Sequence, residues 1–78
     1  MIRKERKVII TFHTTAMAIA MEAVCRKRQA PGRLIPVPKS ISAGCGMAWC
    51  AAPEEKDMLC QLMKEEGITH QEIQVCMI

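Results

Sequence analysis

Val8-Ile9-Ile10-Thr11-Phe12-His13-Thr14-Thr15 is the stretch that decides how this chain folds. Residues 8–13 form a continuous apolar run of β-branched and aromatic side chains, as expected of a strand buried on both faces. Thr14 and Thr15 follow at once, and a threonine oxygen accepts from the unpaired N–H groups at a helix start. Residues 16–28 are rich in Ala, Met and Glu, with Met17, Ala20, Met21 and Val24 on one apolar face. Arg26, Lys27 and Arg28 fall in the last turn, where cations suit the helix dipole, and Pro31-Gly32 ends the segment.

Downstream, residues 33–37 read as a second strand, and Pro36 assigns it to a sheet edge because proline lacks a ladder donor. A polar loop at 38–45 leads to a third strand at 46–51. Pro53 then opens a second helix with Glu54, Glu55 and Asp57 in its first turn. Met58, Leu59, Leu62 and Met63 form its apolar stripe, and Gly67 closes it as a left-handed cap. In the final strand Ile73, Val75 and Met77 alternate with Glu72 and Gln74. The order β-α-β-β-α-β predicts an α+β, ferredoxin-like βαββαβ fold with two helices on one face of a four-stranded antiparallel sheet, order 4-1-3-2. That topology makes the first strand central and the second an edge, and it leaves the other sheet face open.

Composition sets the class. At 78 residues, 1–78 reads as a single domain, and half of the residues are hydrophobic with only Phe12 and Trp49 aromatic. Cores of this size contribute about 3–5 kcal/mol alone, which points to docking to a second copy or to a neighbouring domain, and a homodimer through the open sheet face is expected. The seven methionines read as core filler. No apolar run reaches the ~18–20 residues of a membrane span, and the basic start followed by Val8–Phe12 lacks a cleavage site, so the expected location is cytoplasmic. The net charge of +3 comes from short runs, too mild for a nucleic-acid binder, and the paired aromatics that stack bases on such sheets are missing. Arg33 and Lys39 are either solvated charges or steer an anionic partner.

Five cysteines, at 25, 45, 50, 60 and 76, are an odd number with no Cys-x-x-Cys pair, which argues against a disulfide framework or a zinc knuckle. Cys25 and Cys60 sit among helical apolar residues and read as core. Cys76 reads as packing or partly exposed, and Cys50 lies roughly 16 Å of extended strand from Cys45, too far to pair without a bend. Cys45 differs from all of these. Gly44 and Gly46 flank it at the end of the loop, leave the sulfur unshielded, and mark a thiol that another molecule can reach. In the expected topology this loop shares a rim with His13, the Thr14/Thr15 helix start and the turn at Gly67–His70. A helix N-terminus there would favour the thiolate.

Two stretches carry a resemblance. Thr11-Phe12-His13-Thr14-Thr15, with Ala18 and Glu22, and Arg33-Leu34-Ile35-Pro36-Val37-Pro38, running through Ile41-Ser42 to Gly44-Cys45-Gly46, resemble the small Se/S carrier-like domains from Val8 to about Val75. The resemblance implies that Cys45 carries sulfur or selenium as a persulfide or selenosulfide, received from a donor protein and passed to an acceptor protein. No cofactor is implied, and the chain is more a carrier than an enzyme, since it is itself the acceptor. Members usually have Ser at the position of His13, so the resemblance gives His13 no role. Two other readings stand beside it: a metal or redox module with Cys45, His13 and His70 converging as ligands, and a regulatory or assembly domain in which Cys45 is incidental.

Overall fold

The computed structural model describes residues 5–38, 41 and 46–77. The chain runs β1 (Arg6–Thr11), α1 (Thr15–Arg28), β2 (Arg33–Pro36), β3 (Met47–Ala51), a 3₁₀ turn (Pro53–Glu55), α2 (Lys56–Glu66) and β4 (Glu72–Met77). The four strands make one antiparallel sheet in the order β2-β3-β1-β4, which counted from the β4 edge is 4-1-3-2. The apolar run at 8–12 is therefore central for a physical reason: Val8, Ile9, Ile10 and Phe12 are all fully buried, which only a strand with neighbours on both sides and cover on both faces achieves.

Alternation along β1 divides the interior in two. Val8, Ile10 and Phe12 join Trp49 and Ala51 of β3 beneath Ala18, Met21 and Cys25 of α1 and Leu59, Leu62 and Met63 of α2. Ile9 faces the opposite way and packs with Ala48, Cys50 and Ile41, supported by Ile35, Val37 and Cys76. No helix packs on this face, as expected of an open sheet face, and Ile41 is the described loop residue that lies on it. Ile41, 8% exposed, covers part of that face, because an apolar side chain in an otherwise polar loop gains more by folding under than by staying in water. The methionines divide as well: Met21 and Met63 are buried, whereas Met58 and Met77 are exposed because no element packs over them.

Element ends differ from the expected ones where caps compete. α1 stops before Pro31-Gly32, with Gln29 as a left-handed cap at φ 55°, whose N–H bonds the Cys25 and Arg26 carbonyls. Gly32 serves another purpose. At φ 109° it lies against Trp49, and a Cβ there would sit 2.7 Å from the Cys50 carbonyl and strike the indole nitrogen. The Trp49 Nε1–H donates to the Pro31 carbonyl at 3.2 Å, so the turn and the indole hold each other. Pro53 opens the 3₁₀ turn and not α2 itself, while Gly67 caps α2 at φ 70° as expected. Arg28 reaches Glu65 at 2.9 Å and Glu66 at 3.4 Å, tying the two helices together on the surface. Gln61 and then Arg28 hold the Glu65 carboxyl below its usual range.

Candidate functional site

Strand register gathers the expected rim. Thr11, the last residue of β1, lies opposite Ala48 of β3 on one side and Glu72 of β4 on the other, and Ala48 lies opposite Ile35 of β2. The Thr11 hydroxyl accepts from the Glu72 N–H at 3.1 Å and the Thr11 carbonyl accepts from the Gln71 N–H at 2.6 Å, so the segment carrying His70 is pinned to the end of β1. The Val37 N–H donates to the Gly46 carbonyl at 3.0 Å, closing the base of the loop between β2 and β3 at the same end of the sheet. His13, Thr14, Thr15, Gly46 and His70 are all exposed there. Gly44 and Cys45 lie outside the described residues.

The helix start at this rim has the electrostatics of an anion-facing end. Thr14 is the N-cap of α1, its hydroxyl accepting from the Met17 N–H at 3.2 Å, while Thr15 is the first helical residue and not a cap. No acidic residue occupies the first turn, so the positive end of the helix dipole has no carboxylate of its own. Gly46 adopts φ 76°, a left-handed conformation natural to glycine, and a Cβ placed on it would meet nothing within 4 Å. Glycine is thus called for by the backbone turn at this position and not by crowding.

The other thiols are placed differently. Cys25 is 1% exposed in the helix-side core, and burial pushes its thiol up to about 11, against a small opposing pull from Arg28. Cys50 is buried in the cluster beneath Ile41, and Cys60 and Cys76 are half-buried against the two clusters. Cys25 is therefore a packing residue, as its helical position indicated. Among the described residues no group of three or more His, Cys, Asp or Glu is placed to hold a metal ion.

Two surface hollows lie at the opposite end of the sheet. One, of about 370 Å³, is lined by Glu22, Arg26, Arg33 and Trp49 among others. The other, of about 330 Å³, lies beside Lys7, Arg33, Cys50 and Glu55. Neither includes a residue of the Thr14–Gly46 rim. Sequence reasoning missed the residue that anchors the candidate loop, Ile41. Its N–H donates to the Pro38 carbonyl at 2.9 Å, and its side chain packs on the sheet with Ile9, Ala48 and Cys50. The available signal was Ile41 standing as an apolar residue between Ser40 and Ser42.

Comparison with known families decides the kinship of this chain. Residues 7–74 match the family described as "Putative Se/S carrier protein-like". The chain belongs to this family. The match takes in all seven elements through Gln74 of β4, the loop with Cys45 and both flanking glycines. Curated proteins and solved structures give no match to this Se/S carrier-like chain. Among its described residues no helix is long and apolar enough to cross a membrane.

Proposed function

We propose that this chain, read as a single domain of ferredoxin-like type, carries sulfur or selenium on the Cys45 thiolate between a donor and an acceptor protein. The observation that carries the reading is the family match over residues 7–74, within which Cys45 stands between two glycines. In the loading step the Cys45 thiolate attacks the terminal sulfur of a donor protein's persulfide. The new bond is Cys45 S–S, the donor's own S–S bond breaks, and the donor leaves as a thiolate. One sulfane sulfur moves with no net oxidation or reduction. Selenium loading follows the same course, giving a selenosulfide. Unloading repeats the displacement with the acceptor's thiolate as nucleophile.

The rim supports this chemistry through its residues. Gly44 and Gly46 leave room for a donor's sulfur to approach. The first turn of α1, behind the Thr14 cap and beginning at Thr15, offers backbone N–H groups and a positive dipole end to a persulfide anion. Intact-protein mass spectrometry tests the reading after incubation with a cysteine desulfurase and cysteine, and separately with a selenium donor. A single added sulfur or selenium, mapped to Cys45, removed by reductant and absent from Cys45→Ser, is the expected result. Adducts spread over all five thiols, or none, would sink it.

A further inference from the structure

The two edges of the sheet are not alike. β2 is a four-residue strand that begins with Arg33 and ends with Pro36, which has no N–H to offer. The next donor along, the Val37 N–H, is already spent on Gly46. β4 is six residues long, contains no proline, and has Glu72 at its start as its one charged residue. Its register places Ile73 opposite Ile10, Val75 opposite Val8 and Met77 opposite Arg6, so all three share the helix-side face. Yet Val75 is 50% and Met77 58% exposed, two of only four large hydrophobics exposed among the described residues.

We propose that β4 pairs antiparallel with β4 of a second copy of this chain, about a two-fold axis through Gln74, joining two sheets into one of eight strands. The inference does not depend on Cys45. An antiparallel pair about an axis normal to the sheet keeps each face continuous, so opposed residues share a face and the axial residue meets itself. With Gln74 on the axis, Ile73 faces Val75 of the second copy, an apolar pair on the helix side, and each N-terminal Glu72 faces Cys76 of the other. Lys7 lies directly behind Cys76 on the same face. Glu72 and Lys7 of the second copy are then two strand spacings apart, about 10 Å between backbones, a distance their side chains span together; Lys7, which pairs with Glu5 at 3.4 Å in its own chain, and Glu72, which accepts from Gln74, would share these partners across the dimer. Symmetry makes that charge pairing twice per dimer. On the helix-free face, among the described residues, Ile41 already packs with Ile9, Ala48 and Cys50.

Sedimentation velocity under reducing conditions, from low micromolar to near-millimolar protein, tests the proposal. A monomer–dimer equilibrium is expected. Val75→Lys should raise the dissociation constant about tenfold or more, and Gln74→Pro should abolish the dimer, each variant keeping the wild-type circular dichroism spectrum. Ile19→Lys, at an exposed position on α1 (56%), should leave the equilibrium unchanged. Glu72→Lys should weaken the dimer and added Lys7→Glu should restore it. Wild-type protein that stays monomeric throughout overturns the proposal. So does a dimer that survives Val75→Lys, or one broken by Ile19→Lys instead.

Discussion

The two faces of this sheet are covered by different means, and the difference shows how a chain of this size encloses a central strand. On one face, two helices cover Val8, Ile10 and Phe12 with three buried side chains each, and Met17, Ala20, Val24 and Cys60 pack beside them. On the other, one loop residue, Ile41, closes over Ile9, Ala48 and Cys50. The helices are amphipathic units whose apolar stripes arrive together, so the helix-side core is large and cooperative. The loop side is a satellite cluster with a single lid. It helps to keep Ile9 dry, and Ile41 is where the described part of the segment between Pro38 and Gly46 packs on the sheet.

Truncation on each face measures that difference directly. Leu59→Ala, at a fully buried helix-side position, should cost about 3–4 kcal/mol, and Ile41→Ala about 2 kcal/mol, in urea unfolding. Equal costs would mean that the loop is as integral to the fold as the helices. The turn that seats Trp49 comes next. Gly32→Ala combines a left-handed backbone at φ 109° with a collision against the indole and the Cys50 carbonyl, and should cost about 2–3 kcal/mol. It should also shift the Trp49 fluorescence, since the Pro31 carbonyl that holds the indole moves with it. An unshifted spectrum with unchanged stability would show that the close approach relaxes freely.

The thiols sharpen the comparison at the smallest scale. The Cys25 thiol is raised to about 11 in the fold from an ordinary 9.0. A raised value means that stability from keeping the thiol neutral is complete below pH 9 and is lost as pH climbs towards 11. Wild-type protein should therefore lose on the order of 1 kcal/mol more than Cys25→Ala between pH 8 and pH 10. Thermal melts across that range check it, and parallel slopes would place the Cys25 sulfur in contact with water. Cys76, half-buried on the other face, should alkylate with iodoacetamide well before Cys25 at pH 8.

Much of the fold was legible because its signals are local. The apolar run at 8–12 named a central strand, Thr14 marked a helix start, Pro36 an edge and Gly67 a helix end, and each does what its own backbone chemistry requires. Where two local signals competed, the nearer one won: Gln29 adopts the left-handed cap before Pro31-Gly32 is reached. Thr14, Thr15, Gly46 and His70 come to one rim through register alone, while the thiol they would serve, Cys45, lies outside the described residues.

The sequence by itself determined the order of elements and the central place of β1, because turn chemistry and apolar period act over a few residues at a time. Only the tertiary structure decided which apolar side chains would be covered. Ile73 and Val75 alternate identically along β4, yet Ile73 packs against the helix-side core and Val75 stays half in water. Ile41 looks like one apolar residue in a polar loop, yet it packs on the second face. Burial is set by what arrives from elsewhere in the chain, and no local pattern contains that.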